Sequence, residues 1–271
     1  MSLFLPDTEG IFFDLAEDVY RAAPGVNISA LKKMSMSPAH YRAGIEEEKP
    51  EPTPAQVFGT MLHRAALEPW RLAESFALKP EAIDYRTKDG KAWREAQTLP
   101  VLDAKQFKAV NGCADSVASH PIAQSILLNA KKEVSVFKRH EPTGLLLKGR
   151  MDILATDTEG NTVIADVKTT QEASPAGFPR EMAKWGYDQQ AAFYTDLMGA
   201  SFFMFLAVEK EAPYAVGLYN LDAESIQIGR EKNERNLAKL KLCQDLNDWP
   251  AYPQEITTIS LPRWAKIAAG E

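Results

Sequence analysis

Residues 149–170, GRMDILATDTEGNTVIADVKTT, constrain the fold of this chain more than any other stretch. Two short apolar, β-branched runs, 151–156 and 162–168, are joined by a polar Asp-Thr-Glu-Gly-Asn connection of hairpin-loop length. That pattern predicts two antiparallel strands and a tight turn. Residues facing each other across such a pair have position numbers of constant sum, so a loop centred on Glu159 sets Asp152 opposite Asp166. Directly opposed Cβ atoms lie ~4.5–5.5 Å apart. Side-chain alternation sends Lys168 to the side of Asp166 and Val167 to the other face. Two carboxylates held that closely raise each other's pKa unless a cation sits between them. The residues alone leave two readings open, a divalent-metal site and a surface hairpin with ordinary exposed charges.

Composition narrows the setting. The 271 residues can bury a substantial core as one large domain or two small ones. With 45% hydrophobic and 25% charged residues, the chain has the balance of an ordinary globular protein. No apolar run approaches the ~18 residues of a membrane span, and MSLFLPDTEG lacks the basic and long apolar regions of a signal peptide. Cys113 and Cys243 are isolated, which fits a reducing cytoplasm and excludes a cysteine-rich zinc or iron–sulfur site. A net charge of −6 argues against nucleic acid coating the whole surface but leaves room for a local basic groove.

In chain order, 11–23 has helical spacing ended by Pro24-Gly25, and Asn27 or Ser29 can cap a short helix through Met34. Ser37-Pro38 reads as a cap with proline in the first turn. Ser35, Ser37 and Arg42 could hold a phosphate at that helix start, the plainer reading being a simple cap. A charged, proline-rich linker at 46–54 precedes a helix capped by Thr53-Pro54, on which Gly59 and His63 share one side. A glycine there would allow close backbone approach. Arg86, Lys88, Lys91 and Arg94, interleaved with Tyr85 and Trp93, form the main basic cluster of the first half and suit either nucleic-acid contact or a mixed-charge surface. Strands are expected at 75–80, 133–139, 144–148, 202–208 and 214–219. Helices are expected at 91–98, 102–118, after Pro121, from Pro179 to Met198 with a break at Gly186, and at 222–249.

Asp-x-Lys alone is weak, since Asp89-Gly-Lys91 and Asp103-Ala-Lys105 also fit it. Only Asp166-Val-Lys168 lies in a β-branched apolar run with an opposed upstream acid. With His63 in an early helix, Gly149-Arg-Met-Asp152, Asp166-Val-Lys168 and Gln190-Ala-Ala-Phe-Tyr194 in that order, the chain resembles the PD-(D/E)XK nucleases. Within them it is similar to the branch of exonuclease VIII, lambda-type exonuclease and the nuclease domain of bacterial recombination helicases.

The resemblance implies an α/β fold, a restriction-endonuclease-like core with a mixed central sheet flanked by helices. It implies one nuclease domain over 1–271, with a helical segment at 1–50, the core at 53–249 and an irregular tail at 250–271. Asp152, Asp166 and the Val167 carbonyl would be oxygen ligands for Mg²⁺, with His63 a nitrogen ligand that lets Mn²⁺ substitute, and two ions per site remain open. Lys168 would orient the attacking water, and Gln190 and Tyr194 would position the phosphate or terminal nucleotide. Arg150 and Tyr187 join Ser35, Ser37, Arg42, Arg86, Lys88 and Lys91 as expected DNA contacts. The implied activity is 5′→3′ digestion of linear double-stranded DNA from its ends, leaving 3′ single-stranded tails for recombination. Implied with it are a ring of three or four copies and an annealing partner. The competing expectations are an endonuclease or repair nuclease without end dependence, and an inactive DNA-binding module.

Overall fold

The computed structural model describes residues 8–47 and 51–261. A short strand β1 (Gly10–Phe12) is followed by α1 (Glu17–Ala22), α2 (Ile28–Leu31), a 3-10 turn (Lys32–Ser35) and α3 (Pro38–Glu46). Next come α4 (Pro54–Leu67), α5 (Pro69–Leu72), β2 (Ala77–Leu78), α6 (Lys88–Glu95), β3 (Val101–Leu102), α7 (Ala104–Ser119) and α8 (Pro121–Leu128). The main sheet is built from β4 (Lys131–Arg139), β5 (Leu146–Thr156) and β6 (Thr162–Thr170), then β7 (Phe202–Glu209) and β8 (Val216–Asn220). Helices α9 (Phe178–Trp185) and α10 (Tyr187–Met198) link β6 to β7, and α11 (Ala223–Leu246) follows β8.

Six strands lie in the order β1-β4-β5-β6-β7-β8. All pair antiparallel except β6 and β7, which run parallel and so need the α9–α10 crossover. The sheet is therefore mixed and flanked by helices on both faces, as the resemblance implied. One face carries Met151, Ile164 and Phe205 against α2, α3, α10 and α11. The other carries Ile153, Val163, Ala165, Val167 and Leu206 against α4, α7 and α8. Each fully buried phenylalanine in these layers, such as Phe205, is worth roughly 1.5–3 kcal/mol of transfer free energy.

Local signals set most element ends. Thr53 and Gln56 form a capping box at α4, Asp222 caps α11, and Gly186 at φ 62° breaks α9 from α10 at the expected residue. Two expectations change. The 11–23 helix is instead strand β1 plus the shorter α1, because Phe12 packs edge-on against Phe137 at 5.6 Å and is used by the sheet edge. The strands expected at 144–148 and 151–156 are one eleven-residue strand that runs through Gly149. That glycine marks close packing: a Cβ there would lie 2.7 Å from Leu197 Cδ2 and 3.1 Å from Tyr194 Cε1. The 46–54 linker lies partly outside the described residues, as does the tail beyond 261.

Candidate active site

The β5–β6 register is the expected one, with Ile153 facing Ala165, but backbone pairing ends there. Continued by one step it would set Asp152 opposite Asp166. Instead the Asp152 side chain bridges the gap, its Oδ2 accepting from the Val167 N–H at 2.8 Å. The kink has a partner in β4. Lys132 pairs with Ile153 and Val134 with Met151, while Glu133 between them has φ 54° in the left-handed region. At this point β5 exchanges faces: Met151 belongs to one core layer and Ile153 to the other. A strained residue opposite a carboxylate that leaves the ladder is the sort of backbone outlier that collects at functional sites.

Asp166 and Lys168 follow the alternation expected of them. Lys168 Nζ is paired with Asp166 Oδ2, and both side chains are nearly enclosed. Gln190 Nε2 donates to Asp166 Oδ1 at 2.7 Å, and the Lys168 ammonium lies 5.1 Å from the Tyr187 ring centroid. Burial works to lower the Lys168 pKa, yet the Asp166 and Asp152 carboxylates more than offset it and hold the ammonium above the ordinary lysine range. Lys168 is thus a buried ammonium paired with Asp166. Gln190, expected to position the phosphate or terminal nucleotide, here contacts the Asp166 carboxylate directly. Tyr194 is buried beneath it against Gly149, and burial is the main cause that raises its hydroxyl well above the usual range.

From the opposite face α4 brings His63. Its Nε2–H donates to the Val167 carbonyl at 2.9 Å, which leaves Nδ1 toward Asp152 Oδ2 at 3.4 Å. Gly59 on that helix faces open space, where an added Cβ would meet nothing within 4 Å, so it makes no close packing contact. It lines, with Thr60, His63 and Asp152, a cavity of about 240 Å³. The cavity's arginines are already paired: Arg21 and Arg64 with Glu17, Arg71 with Glu68, and Arg150 with Glu133.

His63, Glu133 and Asp152 each offer a ligand atom, and these atoms lie within 4.8 Å of one another. Burial, the strongest influence on Asp152, pushes its pKa up to about 7; His63 opposes this and Asp166 adds to it. A buried carboxylate destabilised in its charged form, beside an imidazole, a second carboxylate and the Val167 carbonyl, is a donor set that fits a divalent cation. Glu133 was not expected from sequence. The signal for it was its position opposite Asp152 once β4 pairs with β5 across the short 140–145 connection.

The expected DNA contacts divide. Tyr187 reaches Lys168. Arg150 is largely enclosed and bonds Glu133, the Leu15 carbonyl and Ser135 Oγ, so in this structure it braces β4 against β5. Ser37 is buried and its Oγ caps α3 by accepting from the His40 N–H, Ser35 Oγ accepts from Asn236, and Arg42 pairs with Glu46. The plain-cap reading thus describes Ser37. Arg86 pairs with Asp84 beside the small β2–β3 sheet, and Lys88 and Lys91 lie on the adjacent α6. No contact among the described residues brings this cluster to the carboxylates. Lys32 was also missed: burial first and the charge of Lys168 second push its pKa down to about 8, with Asp166 and Asp188 opposing.

A family model described as a PDDEXK-like domain of unknown function matches residues 27–262. The chain belongs to this family. Its fold is that of the PD-(D/E)XK nucleases, the superfamily whose His, G-x-x-D, D-x-K and Q-x-x-x-Y series the sequence carries. A crystal structure from Eubacterium rectale, provisionally described as an exonuclease, superposes with a TM-score of 0.62 at 13% identity, covering 96% of this chain and 100% of its own. A phage-related exonuclease from Haemophilus somnus 129PT matches at 12% identity and a TM-score of 0.38, covering 82% and 96%. Among curated proteins, none matches the sequence.

Proposed function

We propose that this PDDEXK-like domain is a metal-dependent exodeoxyribonuclease that digests linear double-stranded DNA 5′→3′ and leaves 3′ single-stranded tails for recombination. One observation carries the reading: four separate elements gather around the Val167 peptide, His63 and Asp152 contacting its carbonyl and amide while the adjoining Asp166 is held by Lys168 and Gln190. A structural ion pair needs no such convergence. In this reading Asp152, Asp166, the Val167 carbonyl and His63 hold Mg²⁺ or Mn²⁺, with Glu133 able to complete a second position. When bound there, the cation would lower the pKa of the attacking water and offset charge on the scissile phosphate. Lys168, kept protonated, orients the water and stabilises the anionic transition state. Gln190 fixes the Asp166 carboxylate, and Asp152 ties β5 to β6 through the Val167 amide.

End dependence and polarity come from the family resemblance, as do the ring of three or four copies and an annealing partner. The test is incubation with linear 5′-phosphorylated duplex and with covalently closed circular duplex in Mg²⁺. The expected result is mononucleotide release from the linear form and an intact circle. Release from the circle would favour an end-independent nuclease. No release from either would leave a DNA-binding module, and equal release by Asp166→Ala would overturn the assignment of this site.

A further inference from the structure

Beyond the carboxylates, the α9–α10 turn presents an unused aromatic. Trp185, the last residue of α9, is 51% exposed. Its ring is nevertheless held: Nε1 donates to Glu181 Oε2 at 2.7 Å, and the Lys184 ammonium sits 4.8 Å from the ring centroid. Its carbonyl accepts from Lys32 Nζ at 2.8 Å. Lys32 interacts electrostatically with both Lys168 and Asp166, and two residues beyond Trp185 the Tyr187 ring lies beneath Lys168. Lys168, Lys32 and Trp185 therefore form a path leading outward from the carboxylates. Two ammonium groups that influence one another oppose each other's charge, an opposition that an anion lying between or beside them relieves.

We propose that Trp185 is the platform on which the terminal base of a DNA strand stacks, with Lys32 neutralising the adjoining backbone phosphate; this rests on the nuclease reading of the neighbouring carboxylates. Inside a duplex both faces of every base are covered by their neighbours. An indole fixed on the protein surface can therefore accept only a terminal or unpaired base. Trp185 thus reads the presence of an end and not a sequence, because every base offers a π-face. Lys184 covers part of the indole and rigidifies it, so little freedom is lost on stacking.

The test measures binding by fluorescence anisotropy, with Ca²⁺ in place of Mg²⁺, on the full chain, using blunt linear duplex and closed circular competitor. Trp185→Ala is expected to weaken linear-duplex binding about tenfold or more, with Trp185→Phe recovering part of the loss and affinity for the circle unchanged. Lys32→Ala is expected to make the slope of log Kd against log salt shallower by about one. Unaltered melting temperature and Ca²⁺ binding in the Trp185 variants would exclude misfolding as the cause. Wild type that neither binds nor cuts linear duplex sinks the nuclease reading and this inference with it. Wild type that cuts, alongside a Trp185→Ala variant of unchanged Kd for linear duplex, overturns the inference alone.

Discussion

Asp152 is where two demands meet. Its carboxylate replaces a lost ladder contact to Val167, and its burial beside Asp166 and Glu133 makes the charged form costly. The sign follows from linkage. A pKa raised to about 7 means the native protein, free of metal, binds more protons than the unfolded chain between roughly pH 4 and 7, so stability falls as pH rises through that window. Cation binding requires the ionised carboxylate. Ca²⁺ should therefore raise the melting temperature more at pH 8 than at pH 6, and an equal rise at both would contradict the assignment of Asp152 as a ligand. Lys168→Ala should lower kcat roughly 10²–10³-fold with little change in KM, the signature of lost transition-state stabilisation. Gln190→Ala, acting through Asp166, should cost about 10–100-fold in activity or metal affinity. The positions of these residues were unevenly legible in sequence. Asp166 and Lys168 were readable because alternation along one strand needs no distant information. Glu133 and Lys32 were not: Glu133 meets Asp152 only through the exact β4–β5 register, and Lys32 reaches the site only through tertiary packing.

At the level of elements, the G-x-x-D and Q-x-x-x-Y motifs are halves of one packing contact. Gly149 in β5 leaves the space that Tyr194 of α10 fills, and one turn earlier Gln190 reaches Asp166 in β6. Gly149→Ala should cost about 1–3 kcal/mol by overpacking, lowering the melting temperature by several degrees. It should also reduce activity out of proportion to that loss, because α10 carries Gln190. Thermal melting and initial rates on the same preparation check both. The same glycine explains a boundary misread from sequence, where one strand looked like two. Periodicity registers a residue without a side chain as an interruption, whereas the sheet uses it as a point of approach. The N-terminal error has a similar origin: a 3.6-residue stripe and a strand edge both place Phe12 against apolar neighbours, and Phe137 decided between them.

For the whole molecule, the mixed sheet with helices on both faces was expected because antiparallel hairpin, crossover and buried apolar strand each leave a clear pattern. Assembly leaves none in a single sequence. A net charge of −6 suits a closed ring in which basic residues face only the channel. Light scattering should then report three or four chain masses, and a single-chain mass at micromolar concentration would remove the ring from the proposal. One feature of the sheet reaches further. The Val167 amide is held by the Asp152 carboxylate while the Val167 carbonyl accepts from His63, so one peptide unit touches both sides of the site. Because both hydrogen bonds end on groups proposed to bind the cation, hydrogen exchange at the Val167 amide is expected to change when Ca²⁺ is added, without substrate, turnover or label; unchanged exchange would contradict that site.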